Sequence, residues 1–286
     1  MAASSQPDPA LPPNGPSGSG LASGNPETRE DDAGGRMSFF EHLVELRKRL
    51  ITAVAAIGLG MVIAFLVANH AINFIVQPIL TALRAHHLED RLYYPSPATP
   101  ISLYISLSLY IGIVIAMPVV LYQIWLFVAP GLYKHERRAV MGFVVSSMFL
   151  FLCGIAFGYY VMLPQVLNFL IGFATDLPLK PLIAINEYFD FILVVLVGLG
   201  VIFELPVLIF ILSLFGIVTP KFLLKNFRYA MLIITIVAAI VTPTPDATTM
   251  LIFMAPMVAL YFVGVLVSYM VLRNKRAKAL AAGEAH

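Results

Sequence analysis

Four carboxylates hold most of the chemistry this sequence can offer. Glu45 lies in Ser38-Phe-Phe-Glu-His-Leu-Val-Glu-Leu-Arg-Lys-Arg-Leu50 and Glu136 in Leu132-Tyr-Lys-His-Glu-Arg-Arg138; Glu204 stands inside an apolar run, and Asp246 follows Thr242-Pro-Thr-Pro. A carboxylate can accept a guanidinium through both oxygens, relay a proton or cap a helix, and its surroundings decide which. Nothing else supplies a reactive set. There is no G-x-x-x-x-G-K-[ST] phosphate loop, no H-E-x-x-H metal helix and no G-x-S-x-G elbow. His42, His70, His86, His87, His135 and His286 fall at loops or helix ends, and Cys153 is the sole cysteine, within an apolar run. No metal centre, cofactor or nucleophile–base pair is therefore expected, and the chain reads as a non-enzyme.

The elements that must position these groups are membrane spans. Of 286 residues, 59% are hydrophobic and 12% charged, and the mean hydropathy of +0.88 lies far from that of a soluble domain. Apolar runs long enough to cross about 30 Å of hydrocarbon occur near 50–69, 101–128, 142–163 and 188–216. A fifth, 229–241, covers only about 20 Å, and a sixth, 248–272, contains Pro256. The expected fold is an all-α polytopic membrane protein with six transmembrane helices, of which the fifth and sixth would give a short hydrophobic span and thin the bilayer locally. Residues 1–36, rich in Pro, Gly and Ser, form an expected disordered tail; 37–272 form the six-helix domain and 273–286 a basic tail. Ser38 and Glu41 make a capping box that starts the first helix.

Orientation follows from Lys and Arg. Fifteen lie in the N-terminal region, the 2–3 and 4–5 loops and the C-terminal tail, against Arg84, Arg91 and Lys180 on the opposite side. The excess places both termini in the cytoplasm. The outer loops, 77–100 with Pro78, Pro95, Pro97 and Pro100, and 171–187 with Pro178 and Pro181, should be extended and compact and could form a cap. Tyr93, Tyr94, Tyr104, Trp125 and Tyr133 read as interfacial anchors. Gly112 to Pro118 and Gly200 to Pro206 align faintly, suggesting two similarly kinked helices. Gly154-x-x-x-Gly158 permits close helix approach.

Each carboxylate has two readings. Glu45 can pair with Arg49 at i, i+4, or can join Glu136, at an adjoining helix end on the same side, to receive a pair of cations. Glu204 is costly in a span and must face protein or water; it is a protonated side chain bonded to a neighbouring helix, a polar contact in a groove receiving another membrane segment, or the proton-coupled site of a small-solute transporter. Asp246 is an N-cap for the last helix or a contact group.

Several separated motifs then resemble one family, the TatC subunit of twin-arginine protein translocases: His42-Leu-Val-Glu-Leu-Arg-Lys-Arg-Leu50, Tyr122 through Trp125, Phe127 and Pro130 to Arg138, Phe203-Glu-Leu-Pro206, and the turn ending at Asp246. The resemblance implies a glove-shaped, concave six-helix receptor in the bacterial inner membrane for folded cargo bearing Arg-Arg signal peptides. It implies that Glu45 and Glu136 bind the two guanidiniums, with Arg47 and Phe127 in the same surface. Glu204 and Pro206 would line the groove for an apolar segment or partner, with Pro78 and Asp246 as further groove or partner contacts. TatB-like and TatA-like single-span partners, self-association and a proton-motive driving force belong to the same implication, and nucleic acid does not. Met250 stands where relatives often carry a polar residue, and Thr244 is inserted between the prolines of the turn.

Overall fold

The computed structural model describes residues 39–128, 137–174, 182–242, 246–281 and 283. The expected tail to residue 36, the Ser38 capping box, Glu136 with Tyr133, Pro178 and Pro181, and the inserted Thr244 lie outside the described residues. The chain divides into two units, Met1–Leu43 and Val44–His286.

Helix α1 runs Phe39–Ala85 and α2 Thr99–Val128. Next, α3, Arg137–Phe157, passes through a π turn at Gly158–Met162 into α4, Leu163–Ala174. The fourth span is α5, Ile185–Ile202, and α6, Leu205–Leu214; a short α7, Pro220–Lys225, precedes α8, Phe227–Val241, and α9, Ala247–Ala281. Five of these spans are long and apolar enough to cross a membrane, and α8 is a shorter sixth. The protein is an all-helical, multi-pass membrane protein. Among the described residues there is no strand, only a parallel bridge of Tyr93 with Ala184.

Apolar residues all round a helix mark it for the interior. This describes α5, which buries Tyr188, Phe189, Ile192, Leu193, Val195, Leu196 and Leu199. Glycines let its neighbours close in. A Cβ on Gly154 would stand 2.7 Å from the Leu199 carbonyl oxygen, and one on Gly158 3.0 Å from Leu196, so the small-residue pair packs α3 against α5. A Cβ on Gly60 would lie 2.4 Å from the Gly112 oxygen, which marks the crossing of α1 and α2. The α6–α9 seam adds polar ties. Ser213 and Ser268 share a buried hydrogen bond of 2.7 Å, and Lys275 Nζ donates to the last carbonyl of α6, Leu214, at 2.5 Å.

Four features differ from the sequence expectation. Pro78 is not in an extended loop: α1 continues through it to Ala85, because Ile75, Ile79, Ala82 and Leu83 prolong its buried stripe. Pro118 sits inside an unbroken α2, whereas Pro206 starts a new helix after the break at Phe203–Glu204, so the two aligned prolines do different work. Trp125 is not an interfacial anchor; it is buried, and its Nε1 donates to Ser147 Oγ at 3.2 Å. Basic residues Arg273 to Arg276 continue α9 instead of leaving it. Beyond α1, Arg84 donates to Asp90 at 2.9 Å, and this bond with the guanidinium charge holds the Asp90 carboxyl below the usual carboxylate range.

The α1–α2 crossing yields an internally controlled test. Gly112→Ala places a methyl 2.5 Å from the Met61 nitrogen and should lower Tm in detergent, whereas Gly58→Ala meets nothing within 4 Å and should leave Tm unchanged or raise it. Equal effects would remove the case for a backbone-to-backbone crossing.

Candidate functional site

Glu45 lies two turns into α1. Its Oε1 accepts both Nε, at 3.1 Å, and Nη2 of Arg49, one turn along the helix. About a fifth of each side chain is exposed, so the pair is partly shielded from water. Oε2 is buried and makes no hydrogen bond among the described residues. A buried acceptor of this kind is incomplete chemistry, since a carboxylate can serve several donors at once. Arg47, on the same turn, is exposed.

Phe127 reaches the same end of the bundle by a simple route. Antiparallel α1 and α2 cross at Gly60 and Gly112, and Glu45 and Phe127 each lie fifteen residues from that crossing, about 22 Å along their helices. Phe127 is half-buried near the end of α2. Between α2 and α3 the chain carries Glu136, outside the described residues.

The second group lies within the spans. A groove of about 760 Å³ opens between α3, α6 and α9, lined by Phe143, Leu150, Phe203, Pro206, Phe210 and Val263 among others. Pro206 is a lining residue. Glu204 is not: both its oxygens are buried, and the polar side chain beside it is Ser147 of α3. Because Ser147 Oγ accepts from Trp125, its own proton is left to turn toward the carboxylate. Trp125, Ser147 and Glu204 thus form a line from α2 through α3 to the break after α5. Sequence reading found only Glu204; Ser147 carries no signal, because its partners are 22 and 57 residues away.

At the start of α9, Asp246 Oδ1 accepts the Thr249 N–H at 2.6 Å, the N-cap geometry. Met250 packs on the core beside it. Pro78 lines a separate cavity at the far end of α1.

The profile of the family described as Sec-independent protein translocase protein (TatC) matches residues 41–256. The chain belongs to the TatC family. The TatC-family protein of Koribacter versatilis is 43% identical over 249 residues, covering 87% of this chain and 91% of that one. TatCy of Bacillus subtilis is 36% identical, over 82% and 89%. A crystal structure of a "Twin Arginine Translocase Receptor- TatC" superposes with a TM-score of 0.73 at 35% identity, covering 81% of this chain and all of that one. The TatC match includes Glu45, Phe127, Glu204, Pro206 and Asp246, so each sits within the family's shared region and not in an appendage.

Two outcomes follow for these TatC-family side chains. Glu204→Gln keeps the shape and an acceptor for Ser147 and removes a charge that has no counter-ion among the described residues, so Tm should hold or rise; a fall of several degrees would mean an ionic partner within the fold. Asp246→Ala should cost about 0.5–2 kcal/mol in unfolding measurements, and Asp246→Asn, which still caps, far less.

Proposed function

We propose that this chain is the receptor of a twin-arginine translocation system. It takes the Arg-Arg signal peptides of folded proteins at the cytoplasmic face of a bacterial inner membrane, and it carries both termini on that side, in line with the distribution of Lys and Arg. It is a binding and assembly protein, not an enzyme.

The Glu45 carboxylate is the observation that carries the reading. It already holds one guanidinium, that of Arg49, in a partly shielded place, and its second oxygen is unsatisfied among the described residues. Glu45 receives one guanidinium of the incoming pair and Glu136 the other, with Arg47 and Phe127 flanking them. Arg offers a planar fork of donors, whereas the Lys ammonium is a compact point charge that cannot bridge two oxygens in the same plane. Charge-assisted bonds of about 1.5–3 kcal/mol each make the difference between Arg-Arg and Lys-Lys large enough to select cargo.

The groove lined by Pro206 takes the apolar segment that follows the arginines or the span of a partner. Glu204, just behind that wall, with Asp246 and Pro78, provides polar or shape-defining contacts for TatB-like and TatA-like single-span proteins and for further copies of this chain. Transport on this platform draws on the proton-motive force. A small-solute carrier built on Glu204 would need that carboxylate open to water, and both its oxygens are buried.

Binding of a fluorescent signal peptide to the purified protein tests the clamp. Glu45→Gln should weaken an Arg-Arg peptide about tenfold to a hundredfold and erase its advantage over Lys-Lys. An unchanged preference would remove Glu45 from the recognition surface.

A further inference from the structure

Two helices distorted by prolines face each other at the far end of the bundle. Pro78 has no N–H, so the carbonyl of Phe74, four residues earlier, loses its helical donor. In the opposite helix Pro164 does the same two residues after the π turn, where the Leu163 N–H reaches back to the Gly158 oxygen, a five-residue step. The extra residue rotates the side-chain register of α4 against α3 by about 100°. Both prolines line a cavity of about 260 Å³ with Gln77, Thr81, Tyr160 and Asn168.

The carbonyl freed by Pro78 does not go unpaired. Tyr159, from the π turn, donates its hydroxyl to the Phe74 oxygen at 2.8 Å, and its ring stacks on Phe74 at 4.3 Å with the planes 9° apart. Tyr188 of α5, fully buried, donates at 2.7 Å to the next carbonyl, Ile75. Ile79 has an N–H of its own to offer within this turn, whereas Pro78 has none to give Phe74, so of the two tyrosines only Tyr159 serves a carbonyl whose donor proline removes.

We propose that Tyr159 is a positioning residue: its hydroxyl replaces the hydrogen bond that Pro78 removes from α1 and so fixes the angle at which the arm Ile79–Ala85 leaves the helix. That arm leads to Arg84, which holds Asp90, and on to Tyr93, whose N–H and C=O bond the Ile183 oxygen and the Ile185 nitrogen at 3.1 and 2.8 Å. One hydroxyl therefore sets the joint on which the far-end connections hang. This inference does not depend on the receptor reading.

The test is a double-mutant cycle on the purified full-length protein, without peptide. Tyr159→Phe keeps the stacked ring and removes only the donor; it should lower Tm by about 2–4 °C and speed amide exchange several-fold in residues 79–85. In a Pro78→Ala background, where residue 78 again supplies an N–H to Phe74, the same substitution should change neither quantity. Tyr160→Phe, an exposed neighbour, is the control and should be silent in both. Equal losses with and without Pro78, or no change in exchange at 79–85, would overturn the proposal. If a variant loses Tm beyond measurement, the exchange pattern of the remaining pair still decides it.

Discussion

A polar group inside a membrane span has no water to turn to, so the protein itself must satisfy it or bear the cost. The architecture depends on this constraint. Ser213 and Ser268 meet across α6 and α9, Trp125 gives its indole proton to Ser147, and Tyr159 and Tyr188 serve carbonyls around Pro78. Each is a single side-chain bond that joins two helices. Glu204 is the exception. A carboxylate kept inside a span with a single serine hydroxyl beside it and no counter-ion among the described residues is costly to the fold, which is why its place beside the Pro206 wall is read as functional.

The same constraint separates recognition from passage. Selecting Arg-Arg needs ionised carboxylates, and these are affordable only at the ends of helices, where Glu45 sits in partial shelter. Accepting an apolar segment needs the opposite, a groove walled by Phe143, Leu150, Phe203 and Pro206. A signal peptide has both parts in series, a charged pair followed by an apolar stretch, and on the proposed reading the Glu45 end of the bundle and the Pro206 groove are the surfaces that match them.

Much of the fold was legible in the sequence. Hydropathy located all six spans, including the short Phe227–Val241. Gly154 and Gly158 announced a close approach that the structure places against Leu196 and Leu199, and the prolines before Asp246 announced the cap it forms. What was misread came from residues with two lives. Pro78 near further prolines looked like loop, although Ile72, Ile75, Ile79 and Ala82 keep helical spacing through it. Trp125 looked like an anchor because a tryptophan near a span end usually is one; its partner on α3 lies 22 residues away, and no local pattern reveals it. Of the site, the carboxylates were visible from their types and placement. The Glu45–Arg49 pair was legible too, from its i, i+4 spacing; that Oε2 of Glu45 is buried, and that Glu204 turns toward Ser147 and not into the groove, depend on tertiary packing.

The central claim is that a charged pair is read at the Glu45 end of the bundle while the apolar segment rests along the Pro206 wall. Site-specific photocrosslinking from positions 45, 127 and 210 to a signal peptide in native membranes tests it most directly. Positions 45 and 127 should capture the peptide's arginine region, position 210 its apolar segment, and a Lys-Lys peptide should lose all three. Capture of both peptides alike, or of the arginine region from position 210, would contradict the account.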